Sequence, residues 1–225
     1  MLDAGLAVLW VAILGGGLLI AAALARWGLP RTHVRDVVHV GAGVWPLGWP
    51  YWHGRAAPLA IVWGALLAMA TLPLLAGRVA ALARLEKAVT SESERWSGLV
   101  LYTLSVAVLT TVGLLRAPFA AAAALFALAL GDGVGGAVGL AFGRHHYRFA
   151  GGKTKSLEGS LVVALFSTGG VLLAAHVFAA SLPLAVALLA GAAAAVAEAV
   201  APRATDNVVL PGCVFGVLAF STGML

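Results

Sequence analysis

The stretch APFAAAAALFALALGDGVGGAVGLAF, residues 117–142, carries one ionisable side chain, Asp132, among apolar residues, glycines and a single proline. A helix needs roughly 20 consecutive apolar residues to cross about 30 Å of hydrocarbon, and this run is longer than that. A soluble helix of the same length would show a polar stripe facing water, and here there is none. The run therefore reads as a membrane-spanning helix. Outward from it, similar apolar stretches recur near 4–25, 37–50, 56–77, 97–115, 159–180, 183–200 and 207–223. The whole chain is 62% hydrophobic and only 10% charged, far from a soluble globular composition. The expectation is an all-α, polytopic transmembrane bundle of about eight helices, seven to nine, forming one integral membrane domain over residues 1–225.

Two runs need comment. Residues 37–50 are short for a span, and Gly41, Gly43, Pro46 and Gly48 weaken a regular helix there, while Trp45, Trp49, Tyr51 and Trp52 would anchor it at an interface. A tilted or re-entrant segment is expected. The first run, Ala4 to Ala25, lacks a basic leading region and a small-residue cleavage site, so it is expected to be the first spanning helix and not a removable signal.

Positive charge then orients the bundle, because Lys and Arg stay on the cytoplasmic side during insertion. Of the 14 Lys and Arg residues, one set of alternate loops holds all but Arg55 and Arg116. This places the N-terminus outside and the rich loops in the cytoplasm, in a cell membrane of bacterial or archaeal type. The net charge of +5 needs no nucleic acid, since a basic rim facing anionic headgroups accounts for it. Cys213 is the sole cysteine, so no internal disulfide can form, and its apolar surroundings suggest a packed, inert thiol.

Acids locate the chemistry, because an ionised carboxylate near the bilayer centre costs about 2.5 to 3.5 kcal/mol on insertion scales. Glu86, Glu92 and Glu94 belong to a mixed-charge loop and read as solvated. Asp36, Asp132, Glu158, Glu198 and Asp206 instead lie in or beside apolar spans, all toward the cytoplasmic end. Gly131 and Gly133 flank Asp132; such glycines let a backbone or a phosphate approach closely, and a carboxylate beside them can hold Mg²⁺, the alternative being a helix-packing seam with Asp132 paired to an arginine. Further on, Gly151-Gly152-Lys153-Thr154-Lys155-Ser156-Leu157-Glu158-Gly159-Ser160 leads from a basic loop into a helix. Ser156 suits an N-cap and Glu158 the first turn, and a helix N-terminus beside Lys153 and Lys155 suits an anion. The spacing of a Walker loop is missing. Arg35-Asp36-Val37-Val38-His39 places His39 one turn from Arg35, and Asp206-Asn207 opens the last run. No zinc-ligand spacing and no serine nucleophile elbow occur. His53 and His176 fall toward the other side and read as structural.

Taken in order, Arg35-Asp36-Val37-Val38-His39-Val40-Gly41, Gly131-Asp132-Gly133, Lys153-Thr154-Lys155-Ser156-Leu157-Glu158-Gly159-Ser160 and Asp206-Asn207 resemble the polyprenol kinase family, which includes dolichol, phytol and farnesol kinases and is related to phosphatidate cytidylyltransferases. The Lys-Ser-Leu-Glu-Gly-Ser segment is the most specific part. Asp36 departs from the pattern, since such proteins usually carry a second basic residue there. The resemblance implies transfer of the γ-phosphoryl of CTP, or another nucleoside triphosphate, to an isoprenoid alcohol with Mg²⁺. Under it, Asp132, Glu158 and Asp206 would be metal or catalytic residues, with His39 as a further catalytic candidate. Arg35, Gly131, Gly133, Lys153, Lys155, Ser156, Gly159 and Asn207 would contact the nucleotide. The partners are then a membrane lipid alcohol and a nucleoside triphosphate, and a homodimer is allowed. Two other readings stand beside this one. A cytidylyltransferase making a CDP-lipid would also use CTP, but its usual C-terminal Asp-Arg-x-Asp signature is missing. A transporter or scramblase would spread polar groups along a midplane path, whereas here they gather at one end.

Overall fold

The computed structural model describes residues 2–76, 78, 96–149 and 154–223. In chain order it contains α1 (Leu2–Arg26), α2 (Arg31–Ala42), a 3-10 turn (Trp45–Tyr51), α3 (Ala56–Ala76), α4 (Trp96–Leu115) and α5 (Pro118–Phe126). A π-helical turn (Ala127–Asp132) joins α5 to α6 (Gly133–Phe142). Then follow β1 (His146–Tyr147), β2 (Lys155–Ser156), α7 (Leu157–Val177), α8 (Leu184–Val200), a 3-10 turn (Arg203–Thr205) and α9 (Asp206–Ser221). Because α5, the π turn and α6 form one rod, the described residues make eight helical rods, an all-α bundle. The two strands are a single antiparallel clip pairing His146 with Ser156 and Tyr147 with Lys155. The mixed-charge loop with Glu86, Glu92 and Glu94 lies outside the described residues.

Five rods are long and apolar enough to cross a membrane: α1, α3, α4, α5–α6 and α7. The α5–α6 rod is the axis. Every residue from Ala120 to Ala124 is fully buried, because alanine side chains let α4, α7 and α9 approach from several sides. By contrast α1 buries little of its surface and touches chiefly α2 and α3.

The second apolar run takes the broken form its glycines and prolines suggested. At 12 residues α2 is about 18 Å long, too short to span alone, and its helix begins earlier than the apolar run, at Arg31. The 3-10 turn continues it, packed under aromatic rings. Trp45 donates its indole N–H to Thr110 Oγ1 at 3.0 Å and meets Trp10 edge-on with ring centroids 5.0 Å apart. So the tryptophans that seemed interface anchors are in part core: Trp45 and Trp49 are buried and only Tyr51 is well exposed. Asp3 closes this end, accepting from the backbone N–H of His53 at 3.0 Å and of Gly54 at 2.9 Å. Cys213 corrects an expectation, because it stands exposed on the outer surface of α9.

Candidate functional site

At the end of the bundle away from Asp3, a cavity of about 330 Å³ opens between α2, α6, β2, α7, the end of α8 and the start of α9. Arg35, Asp132, Lys155, Glu198 and Asp206 supply its charge, and Gly135, Gly136 and Gly139 border it. These groups are scattered through the sequence and meet only because six elements converge.

Asp132 sits at the end of the π turn, ten residues before α6 ends, which is about 15 Å along the helix at 1.5 Å per residue. The cavity is thus a shaft into the apolar bundle. A π turn displaces carbonyls from the regular ladder, and side chains here meet them. Ser167 Oγ donates to Ala127 O at 3.2 Å, and His39 Nε2 lies 3.2 Å from Leu128 O. A carbonyl can only accept, so Nε2 carries the proton. That nitrogen is also 3.8 Å from Asp132 Oδ2. With that proton directed at Leu128 O, Nε2 is not a proton acceptor in this arrangement, and His39 stands beside Asp132 as a neighbour without a hydrogen bond to it. Its ring is in turn held by Tyr102, whose hydroxyl donates to His39 O at 2.9 Å and whose ring centroid lies 4.2 Å away.

Lys155 reaches across the cavity to Glu198, a carboxylate buried at the end of α8. Burial is the largest influence on Lys155 and pushes its ammonium down, but Glu198, with Asp132 and Asp206 behind it, outweighs that and holds it above the usual lysine value. The cation is kept charged inside an otherwise apolar bundle. Asp206 opens α9, its Oδ1 accepting from Asn207 N at 3.0 Å and Asn207 Nδ2 at 3.3 Å. Asn207 itself braces the fold, since its side-chain amide N–H also donates to Ala204 O and its backbone carbonyl accepts from Ser105 Oγ at 2.6 Å. Arg35 lines the cavity mouth and pairs with Asp36 at 3.4 Å.

Other expected site residues fall elsewhere. Glu158 does not face the cavity: its carboxylate accepts from the backbone N–H of Arg144 and His145 at 3.1 and 3.3 Å and lies 2.6 Å from His145 Nδ1. It fastens the loop base that carries Lys155. Ser156 is the N-cap of α7, accepting from Gly159 N at 3.2 Å, and its side chain also borders the cavity. Gly131 is pressed against Ser167, and a Cβ on Gly133 would come within 2.7 Å of Val40 in α2. Both serve helix contact. The glycine with open space toward the cavity is Gly136. Lys153 lies outside the described residues. Glu198 was among the five acids that the sequence placed at this face, but neither it nor Gly136 was given a role from sequence.

The donor set suits Mg²⁺ of the substrate-borne kind. Mg²⁺ takes hard oxygen ligands and is commonly held by one or two carboxylates together with phosphates, not by a protein cage. Asp132 and Asp206 border one cavity, and no group of three or more His, Cys, Asp or Glu residues close enough to form a cage occurs among the described residues.

A phytol kinase from Synechocystis sp. is 33% identical over 175 residues, covering 71% of this chain and 68% of that protein. No family model and no solved structure matches the chain. Identity of that extent, running through most of both sequences of an all-helical membrane protein, is shared descent: the chain belongs to the polyprenol and phytol kinase family.

Proposed function

We propose that the protein is a nucleoside-triphosphate-dependent kinase of an isoprenoid alcohol, working in the polar shaft at the cytoplasmic face, with CTP as the donor implied by the family resemblance. The observation that carries it is the convergence of Asp132, Lys155 and Asp206 on one shaft sunk into an apolar bundle, in a relative of a phytol kinase. A shaft so placed lets a water-soluble triphosphate enter from one end while a lipid hydroxyl arrives from the side.

Phosphoryl transfer demands charge neutralisation and alignment more than covalent catalysis. Asp132 would hold Mg²⁺, which supplies neutralisation of phosphate charge when bound. Lys155 has three donors on its ammonium, so it can keep Glu198 and still meet a phosphate oxygen. Gly136, where a Cβ would meet nothing within 4 Å, leaves the wall open to the phosphates. The alcohol oxygen bonds to the γ-phosphorus as the bond from that phosphorus to the bridging oxygen breaks. The nucleoside diphosphate leaves with the bonding pair, and the hydroxyl proton passes to Asp206, whose carboxylate Asn207 fixes.

Purified protein given γ-labelled CTP or ATP, Mg²⁺ and either phytol or diacylglycerol tests this. Label should appear in a lipid monophosphate of the isoprenoid alcohol, with nucleoside diphosphate released. Pyrophosphate and a CDP-lipid would instead show a cytidylyltransferase, and no nucleotide turnover with any lipid would overturn the kinase reading.

A further inference from the structure

A second cavity, about 610 Å³, lies on the opposite side of α2 from the polar shaft, between α1, α2, α3 and α4. Its lining is almost wholly apolar, with Gly17, Val38, Gly41, Met69 and Leu99 drawn from all four helices. Trp96 and Val106 both border it, ten residues apart on α4, so it runs about 15 Å along that helix. Trp45 stops it, itself held by Trp10 and Thr110. Small residues open the space: a Cβ built on Gly16, Gly17 or Gly41 would meet no atom within 4 Å, while one on Gly43 or Gly48 would collide with Ala129 or Trp10.

The two cavities meet across one pair of rings. Tyr102 borders the apolar chamber, its ring meets that of His39 at a 51° tilt with centroids 4.2 Å apart, and His39 approaches Asp132 in the polar shaft. Along α2 the two cavities divide the helix surface, with Arg35 at the shaft and Val37, Val38 and Gly41 at the chamber. A ligand occupying both must be an extended apolar chain ending in one small polar group.

We propose that the chamber is the binding site for the hydrocarbon chain of the alcohol substrate, laid between α1 and α4 so that its hydroxyl emerges beside His39 toward Asp132. This rests on the kinase reading, which supplies the polar end. The chamber makes the enzyme sensitive to chain length: an isoprenoid chain gains affinity by filling it, and the barrier at Trp45 limits how far a chain can run inside. Its volume falls in the usual range for small-molecule sites, about 300–1,000 Å³.

Gly17→Leu and Gly41→Leu fill the chamber from opposite walls, and leucine is a better helix former than glycine, so neither substitution works against its helix. Each should raise the KM for phytol about tenfold, equivalent to losing about two buried methylene groups, and leave the KM for a single-isoprene alcohol and for the nucleotide within about twofold. Equal effects on both alcohols, or none on phytol, would overturn the chamber while leaving the kinase reading intact. A second measurement needs no turnover. A phytol analogue with a photoreactive group in its chain should label α1, α2 or α4 at chamber residues and be displaced by phytol. Labelling confined to other helices, or displacement as effective by phosphatidylglycerol as by phytol, would show that the chamber takes bulk lipid and would refute the proposal. Chamber labelling without any phosphoryl transfer would sustain the site and reject the kinase reading.

Discussion

Asp132 was legible from sequence because a carboxylate in an apolar span is costly to keep, and the same logic pointed to Asp206. What the sequence could not supply was partnership. Glu198 and Lys155 are far apart in the chain and meet only through the packing of α7 on α8, whereas Glu158, adjacent to the lysine segment, looked like a site residue and instead holds the backbone of Arg144 and His145. Two substitutions test these roles. Asp132→Asn keeps size and polarity but removes charge, so turnover should fall at least about a hundredfold in protein that still folds; near-normal turnover with unchanged Mg²⁺ dependence would reduce Asp132 to a partner of His39. Glu198→Gln tests positioning through protonation. In the wild type, Glu198 offsets the burial that would otherwise push Lys155 down, so the ammonium persists to higher pH than an ordinary lysine. In the variant only Asp132 and Asp206 oppose burial, so the nucleotide KM should begin to rise at a lower pH, while the alcohol KM keeps its pH profile. Identical nucleotide profiles for both proteins would mean that Glu198 does not govern the charge of Lys155.

At the scale of elements, apolar length alone marked the long helices to within a few residues, since a single apolar segment of that length satisfies all its own backbone groups in hydrocarbon only as a helix. Local departures were less readable. The π turn at Ala127–Asp132 depends on Ser167 and His39 arriving from other elements, and no local pattern announces that. The glycines were legible as close-approach positions but not as to what approaches: beside Gly131 and Gly133 it is a neighbouring helix, beside Gly136 it is the open shaft. The adjacent glycines of α7 allow a test of this distinction. A Cβ on Gly170 would come within 2.8 to 2.9 Å of the backbone of Phe126 and Ala127, atoms that cannot move without shifting the axial rod, whereas one on Gly169 meets nothing within 4 Å. Gly170→Ala should therefore destabilise the protein by about 1–3 kcal/mol through overpacking. Gly169→Ala should be neutral or stabilise it by up to about 1 kcal/mol through helix propensity. Thermal unfolding in detergent compares the two, and equal melting temperatures would argue against α7 packing directly on the α5 terminus.

At the scale of the whole molecule, the bundle has two chemically distinct ends. Asp3, His53 and Gly54 tie one end together, while Arg35, Lys155 and Asp206 line a shaft opening at the other. Arg55 lies beside the first group and Arg148 in the loop beside the second, so the charge asymmetry in the sequence coincides with a physical division of the structure. A shaft open to the cytoplasm would meet nucleoside triphosphate directly, whereas the reverse orientation would leave the site without its donor. The positive-inside rule predicts the first arrangement, with the N-terminus outside. Cysteine labelling decides it. Cys213 is exposed on α9 and must first be replaced, as Cys213→Ser, to remove background. In that background, Arg55→Cys should react with a membrane-impermeant maleimide in intact cells, and Arg148→Cys only after the membrane is opened. Neither substitution removes a charge from the shaft lining, so both proteins should retain phosphoryl transfer, which certifies that the labelled molecules are folded. Reaction of both positions from the same side would break the alternation on which eight crossings rest. Reaction of Arg148→Cys alone in intact cells would turn the bundle over and place the shaft outside, where the proposed donor could not reach it.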